Sequence, residues 1–319
     1  MRVLHITNNY PTEKHPIFGI FVKEQIESLK KAGIICDVFF INSREKGKVT
    51  YLSDSLKLFI YLIKNRYDVI HCHHAFSGFI FILTGHAFFV KSILSYQNAP
   101  ENEGGTRLFK FLYPFFNKII FKYKDDAIKL PKIVYLPNGV NIEMFNAMEK
   151  SECRKKLGLE MNKKYILFTD SYKKRKQKRI DRFDAMIHYL INDLKVKDIV
   201  PLVLTNTSRE IMPLYINASD VHVITSDFEG SPNSVKECLA CNIPVVSTRV
   251  GNIDDLLGDI DGCFICKSFE PSELALLVKK SLENDNFYGR QFIEKKNLTI
   301  DAVAKTLIDL YSKTLNNYA

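Results

Sequence analysis

Residues 218–251 read ASDVHVITSDFEGSPNSVKECLACNIPVVSTRVG. The apolar, β-branched run that ends at Ser226 has the length and composition of a buried strand. A short loop then carries Glu229, Gly230 and Ser231, and Pro232 stands where proline favours the first turn of a helix, here SVKECLAC. A strand, a glycine-bearing turn and a helix make up the repeating unit of a parallel sheet covered by helices.

The same alternation runs outward in both directions. Val3 to Thr7 reads as a strand, Phe21 to Ala32 as a helix, and Cys36 to Ile41 as a second strand. Helix Ser53 to Lys64, strand Asp68 to Cys72, helix Ser77 to Phe88, strand Ser92 to Tyr96, a helical stretch from Thr106 to Lys122 and strand Ile133 to Leu136 follow. Pro137-Asn138-Gly139 is turn chemistry, after which the pattern restarts with a charged helix at Ser151 to Leu157 and strand Tyr165 to Thr169. Helix Ile180 to Asn192 comes next, and the series ends with strand Cys263 to Cys266 and helix Pro271 to Glu283. The reading is therefore α/β, with two Rossmann-like domains at 1–142 and 143–300. A last helix within 301–319 is expected to pack back on the first domain. Ligands of doubly wound sheets sit at the C-terminal strand edge, so two such sheets are expected to face an interdomain cleft.

Composition narrows the function. With 319 residues, 46% hydrophobic and 25% charged, the chain can bury two cores and is not disordered. A net charge of +9 favours an anionic partner: nucleic acid, a phosphorylated small molecule or an acidic membrane. Nucleic acid is disfavoured, because no zinc-finger, helix-turn-helix or RNP pattern is present. MRVLHITNNYP lacks the layout of a signal peptide, which predicts a cytoplasmic protein. The apolar run Phe76 to Leu94 is interrupted by His86 and Lys91 and reads as a buried helix leading into a buried strand. Cys238, Cys241, Cys263 and Cys266 have the spacing of a zinc site, but the first pair lies in a helix and the second in a strand, which favours core thiols. His71 and His73 share one strand face and His74 takes the other, which favours a structural or acceptor-side role over a metal site.

The chemistry concentrates at the loop before SVKECLAC. Free N–H groups around Ser231, Asn233 and Ser234, with a helix dipole behind them, suit phosphate or sugar hydroxyls. Glu237 can accept hydrogen bonds from a diol such as a ribose. Eight positions separate Glu229 from Glu237, which on one continuous helix would be about 12 Å. Glycoside hydrolases set their carboxyls roughly 5 to 9.5 Å apart, so separate contacts along one extended ligand are the simpler reading. Upstream, SYKKRKQKRIDRF at 171–183 sets seven cations against one acid just after a strand.

These residues carry a resemblance. EGSPNSVKE resembles the Glu, seven residues, Glu motif of retaining glycosyltransferases of family 4, the glycosyl transferases group 1 of the GT-B fold. ASDVHVITS before it and CNIPVVSTRVGNIDDLL after it are similar to the same family. So are ITNNYPTEKHPIFGIFVKEQIESLKKAG, YDVIHCHH and YLPNGVNIEMF, in the family's order and over most of the chain.

The resemblance implies a metal-free transferase, with a UDP- or GDP-linked sugar as donor substrate rather than a resident cofactor. It implies that Glu237 binds the donor ribose, that Glu229 lies near the donor sugar and phosphate, and that Gly230, Ser231, Pro232, Asn233 and Ser234 hold sugar hydroxyls. It maps the family's lysine for the pyrophosphate onto Lys178 and its arginine near Lys173, with Lys174 and Arg175 as rivals. Gly19 matches the family's glycine loop, where the backbone passes close to donor or acceptor. Gln97-Asn98 replaces the family's His-Gly pair beside the donor sugar. One strand and helix unit fits before Ala218 where the family has two, and Leu204 to Thr207 is the candidate base-recognition loop.

The expected function is transfer of a sugar to a saccharide or lipid-linked saccharide in surface polysaccharide synthesis. TRLFKFLYPFFNKIIFKYK at 106–124 mixes aromatics with cations, as helices on the inner, anionic membrane face do. A sugar-nucleotide epimerase of the same fold, or a catalytically weak paralogue that supports another transferase, are the alternatives.

Overall fold

The computed structural model describes residues 1–47, 49–124, 130–170, 175–284 and 287–316, which divide into two compact units. The first holds Met1–Asn138 and the segment from Ile300; the second is Gly139–Thr299.

In chain order the first unit builds β1 (Arg2–Thr7), α1 (Ile20–Lys31), β2 (Ile35–Phe40), α2 (Ser43–Lys46), α3 (Thr50–Lys64) and β3 (Val69–His73). It continues with α4 (Ala75–Leu83), β4 (Lys91–Ser95), α5 (Thr106–Leu112), β5 (Lys118–Phe121) and β6 (Ile133–Tyr135). The strands form one sheet in the order β2-β1-β3-β4-β5-β6, and every pairing is parallel. Alternate residues feed opposite cores: Leu4 and Ile6 pack with α3 and α4 residues such as Leu58 and Phe81, whereas Val3 packs with Val22 and Ile26 of α1. Burial on both faces is why the strands read as apolar runs.

The second unit builds α6 (Lys150–Leu157), β7 (Lys164–Asp170), α7 (Ile180–Asn192), β8 (Ile199–Thr205), α8 (Met212–Ala218) and β9 (Val221–Ile224). It continues with α9 (Asn233–Ala240), β10 (Val245–Thr248), α10 (Ile253–Leu257), β11 (Phe264–Cys266), α11 (Pro271–Ser281) and α12 (Gly289–Lys295). Its parallel sheet has the order β11-β10-β9-β7-β8. One strand and helix unit, β8 with α8, lies between α7 and β9. The chain then returns to the first unit as α13 (Ile300–Asn316), whose Val303, Leu307 and Tyr311 share a core with α1.

One expectation fails in detail. The stretch from Thr106 to Lys122 is not one helix, because α5 stops at Leu112, a 3-10 turn follows at Tyr113–Phe115, and β5 pairs with β4 and β6. Pro114 lacks an N–H to donate to the carbonyl four residues back, so the α-helical ladder cannot continue through it. Ile119 and Ile120 then point into opposite cores, which only a strand allows. The four cysteines with zinc-like spacing do not converge: Cys238, Cys241 and Cys263 pack in one core layer and Cys266 in the other. Among the described residues, no helix is long and apolar enough to cross a membrane.

Candidate functional site

In the second sheet β7 and β9 are neighbours, so the loops beyond their C-terminal ends meet. Beyond β7, the Asp170 carboxylate accepts from the backbone N–H of Arg175 at 3.1 Å and from its Nε at 2.6 Å. A 3-10 turn at Lys176–Lys178 then brings Lys178 beneath the β9 loop. Thr225 donates its hydroxyl to the Lys178 carbonyl at 2.7 Å, and Asp227 N–H donates to the Gln177 carbonyl at 2.9 Å. Arg182 donates to the Thr225 carbonyl and holds Asp227 at 2.9 Å, where Arg179 also reaches it at 3.1 Å.

This lacing places Lys178 Nζ 2.6 Å from Glu229 Oε1, with the two side chains only 8% and 12% exposed. Ser226 donates its hydroxyl to the same oxygen at 2.8 Å. Burial alone would push the Glu229 carboxyl up. The Lys178 ammonium, the Ser226 hydroxyl and the nearby Arg175 outweigh it and hold the group below the usual carboxylate range. Glu229 is therefore a carboxylate at neutral pH.

Glu229 is followed by Gly230, Ser231 and Pro232, and Pro232 sits at the N-cap of α9 rather than inside its first turn. Proline offers no side-chain acceptor there, so the N-cap residue leaves the first N–H groups of the helix without a side-chain cap. Gly251 makes the arrangement possible: its φ is +54°, and a Cβ there would lie 2.1 Å from the Gly230 carbonyl oxygen. That carbonyl accepts from Asn252 N–H at 3.0 Å, and Lys236 reaches back to the Ser231 hydroxyl at 2.8 Å. Ser234 lies 3.2 Å from Nε2 of buried His222, whose imidazole burial pushes down to about 4 and keeps neutral. The Oδ1 of Asn233 is shielded from water and has no hydrogen-bond partner among the described residues.

One turn into α9, Glu237 pairs with Arg209 at 2.6 Å, and the Arg209 guanidinium lies 4.4 Å over the Phe145 ring. Arg209 lies beyond the end of β8, whose last two residues, Leu204 and Thr205, take up half of the stretch expected to be the base-recognition loop, so Glu237 is surrounded by groups from separate parts of this unit. Each carboxylate expected to touch the donor thus carries its own cation.

The first unit holds the other expected residues. Gly19 has φ +67°, and a Cβ there would lie 2.3 Å from the Asn9 backbone. The glycine is thus required by its own loop. Gln97 accepts at Oε1 from Asn138 at 3.3 Å, while its Nε2 is buried without a partner among the described residues. Beneath it, Glu103 accepts from Gln97 N–H at 2.7 Å, Asn98 N–H at 3.0 Å and Ala75 N–H at 3.2 Å. One buried carboxyl therefore fixes the Gln97 turn and the start of α4. Burial pushes Glu103 up to about 8 against those donors, and burial pushes Lys122, whose Nζ has no hydrogen-bond partner among the described residues, down to about 7 against the attraction of Glu103.

His71 and His73 stack with ring centroids 4.2 Å apart, as expected for one strand face, and His74 instead lies 3.9 Å from Glu103. His71 contacts Tyr311 of α13 at 2.6 Å and Ser95 of β4 at 2.7 Å through its two ring nitrogens. His5 bonds His73 at 3.0 Å. One ring nitrogen from each of His5, His71 and His73 lies within 4.8 Å of the others, desolvation holds all three imidazoles neutral, and their hydrogen bonds tie β1, β3, β4 and α13 together.

Of the expected residues, Lys178, Arg175, Glu229, Gly230, Ser231, Pro232, Asn233, Ser234 and Glu237 gather at the C-terminal edge of the second sheet. Lys173 and its rival Lys174 lie outside the described residues. Sequence reasoning missed Arg209, Asp227, Glu103 and Lys122. Only Arg209 gave a signal, a cation directly after a strand end.

Residues 180–298 match the family described as Glycosyl transferases group 1, a span that contains Glu229, Glu237 and Arg209. The chain is 22% identical to TuaC of Bacillus subtilis (strain 168), named for teichuronic acid biosynthesis, over 81% of this chain and 83% of that protein. It is 24% identical to the UDP-Gal:alpha-D-GlcNAc-diphosphoundecaprenol alpha-1,3-galactosyltransferase of Escherichia coli, over 71% of this chain and 70% of that one. Among solved structures it is similar to sucrose-phosphate synthase of Thermosynechococcus elongatus, with a TM-score of 0.78 at 15% identity over 98% of this chain and 99% of that chain. The fold is that of the GT-B glycosyltransferases, two α/β domains each built on a parallel sheet.

Proposed function

We propose that this protein is a retaining glycosyltransferase that moves a sugar from a UDP- or GDP-linked donor to a saccharide or lipid-linked saccharide in surface polysaccharide assembly. The observation that carries the proposal is the meeting of Lys178, Glu229 and the uncapped start of α9 at one sheet edge. A diphosphate placed there meets an ammonium with N–H donors beyond the one facing Glu229, the Arg175 guanidinium behind it, and the positive end of a helix.

Glycosyl transfer breaks the bond between the anomeric carbon and the diphosphate oxygen, and negative charge builds on the leaving group. Fixed cations and N–H groups stabilise that charge without reorganising, and losing one such group commonly costs about 10² to 10³ in rate. In this proposal Lys178 and Arg175 meet the developing charge. The Asn233 Oδ1 and the peptide groups of Gly230 to Ser234 take the sugar hydroxyls, and Glu237, oriented by Arg209, accepts from the ribose diol. Lys173 is assigned to the same diphosphate by its place in the sequence alone. Gln97, whose Nε2 is buried without a hydrogen-bond partner among the described residues, is assigned to the role of the family's histidine by its place in the sequence alone. The donor is a substrate, and the chemistry needs no resident cofactor or metal. Retention rests on the likeness of EGSPNSVKE to the retaining family.

The lipid-linked acceptor is supported by the Escherichia coli relative, whose name specifies a diphosphoundecaprenol acceptor, and work at the cytoplasmic face of an anionic membrane is part of the proposal. The test is incubation of the purified chain with radiolabelled UDP-galactose and a polyprenyl-diphosphate-linked saccharide. Product analysis by chromatography and NMR is expected to show an α-linked sugar on the lipid. Conversion to an isomeric nucleotide sugar without transfer would replace the proposal with epimerisation.

A further inference from the structure

Helix α3 has one face buried in its unit and a second, apolar face left exposed. Asp54, Leu58 and Leu62, spaced by four, are buried in the first unit. Leu52, Leu56, Phe59, Ile60 and Ile63 fall on the opposite face and are exposed, Leu52 at 74%. A surface helix of a globular domain turns charge to solvent, and one that is apolar all round needs a second apolar neighbour. The stripe continues beyond α3. Phe59 packs on His86 at 5.7 Å, at the head of the 3-10 turn that carries Phe88 and Phe89, 72% and 86% exposed. Phe88 in turn meets Phe115 at 5.7 Å, and Phe115 meets Phe111 beside α5 at 5.6 Å.

Cations dominate the segments that carry this patch. Segments 49–67, 75–91 and 106–118 contain a single acid, Asp54, which is buried and paired with Lys57. Lys57, Lys64, Arg107 and Lys110 stand exposed among the aromatics. A second copy docked on this face about a two-fold axis would set cation against cation. A bilayer with anionic headgroups satisfies both features, taking the rings and aliphatic tips at the acyl boundary and the ammonium groups at the phosphates.

We propose that the exposed face of α3, together with Phe88 and Phe89, is the surface by which this chain docks on an anionic bilayer. The α5 segment contributes only a flank. This rests on the reading that the protein works at a membrane, and it differs from the sequence expectation, which put the contact on residues 106–124.

The test is co-sedimentation of the full chain with vesicles of phosphatidylcholine alone or mixed with phosphatidylglycerol. Three double variants are compared: Leu56→Ser with Ile60→Ser, Phe88→Ser with Phe89→Ser, and Arg107→Glu with Lys110→Glu. All alter exposed side chains, and circular dichroism confirms folding. Binding to the mixed vesicles is expected to fall about tenfold or more in each of the first two, since each removes large apolar groups from the interface, and less in the third. Transfer to a water-soluble acceptor is expected to be unchanged. Loss only in the third variant would overturn the placement on α3 while leaving membrane docking intact. Absence of binding to either vesicle would instead overturn the membrane reading itself. A wild-type dimer that the first two variants split, seen by light scattering without lipid, would make the face a contact between copies and also overturn the proposal.

Discussion

Replacing Lys178 with methionine tests the site through stability, independently of any substrate. Lys178 and Glu229 form an ion pair at 2.6 Å between side chains that are 8% and 12% exposed. Removing one partner of such a pair strands the other, at a cost of about 3–5 kcal/mol. For a unit of this size that lowers the unfolding midpoint by about 6 to 20 °C. The pH dependence separates this cause from lost packing. In the native protein Glu229 is held below its ordinary pKa, so its stabilisation is present above the unfolded carboxylate pKa and is lost as pH falls through the folded one. Without Lys178 the largest influence on Glu229, burial, pushes its pKa above the ordinary value, and the stranded carboxylate is costliest at neutral pH. The gap between wild type and Lys178→Met should thus be widest near pH 7 and narrow toward pH 4. The double variant Lys178→Met with Glu229→Gln should recover much of the loss. Scanning calorimetry at pH 7, 5.5 and 4.5 checks this. A deficit below about 1 kcal/mol at pH 7, the level of an exposed pair, or a gap that does not narrow with acid, would refute the reasoning.

Arg209→Ala should raise the donor KM about tenfold with a smaller effect on kcat, because Arg209 orients Glu237 and the loss falls on ground-state binding; steady-state kinetics read both. Glu103→Gln replaces an acceptor oxygen with a donor facing backbone N–H groups. Leaving one buried N–H unpaired should cost about 1–3 kcal/mol, read by denaturant unfolding, with faster amide exchange at Gln97 and Asn98. Lys122→Met should stabilise the first unit by about 1–3 kcal/mol, since it removes a buried ammonium that has no hydrogen-bond partner among the described residues and whose burial outweighs its attraction to Glu103. Burial lowers Lys122 from 10.5 to about 7, so the penalty is complete below about pH 7 and fades as pH rises toward 10.5; the gain should shrink over that range in thermal melts.

Much of this was legible in the sequence because the signals were local. Helix α7 begins and ends where the spacing of its apolar residues predicts. EGSPNSVKE carries its own turn, helix start and carboxylates within nine residues. The misreading of 106–122 arose where aromatics and lysines suit either period, and β5 is decided by neighbours on both sides, β4 and β6, which no local window contains. The same holds for Arg209 and Glu103. Arg209 meets Glu237 across 28 positions and the Phe145 ring across still more, and Glu103 is defined by N–H groups on two other loops. Glycine 251 explains itself only once Gly230 lies against it.

The central claim is that a nucleoside diphosphate is gripped at the edge of the second sheet by Lys178 and the start of α9, with its ribose on Glu237. Isothermal titration of the full chain with UDP, GDP and ADP, repeated with Lys178→Ala and Glu237→Ala, tests it most directly. UDP or GDP should bind saturably and weaken about tenfold or more in each variant, the size of one lost charge-assisted hydrogen bond. Binding that is equally tight in both variants would contradict it.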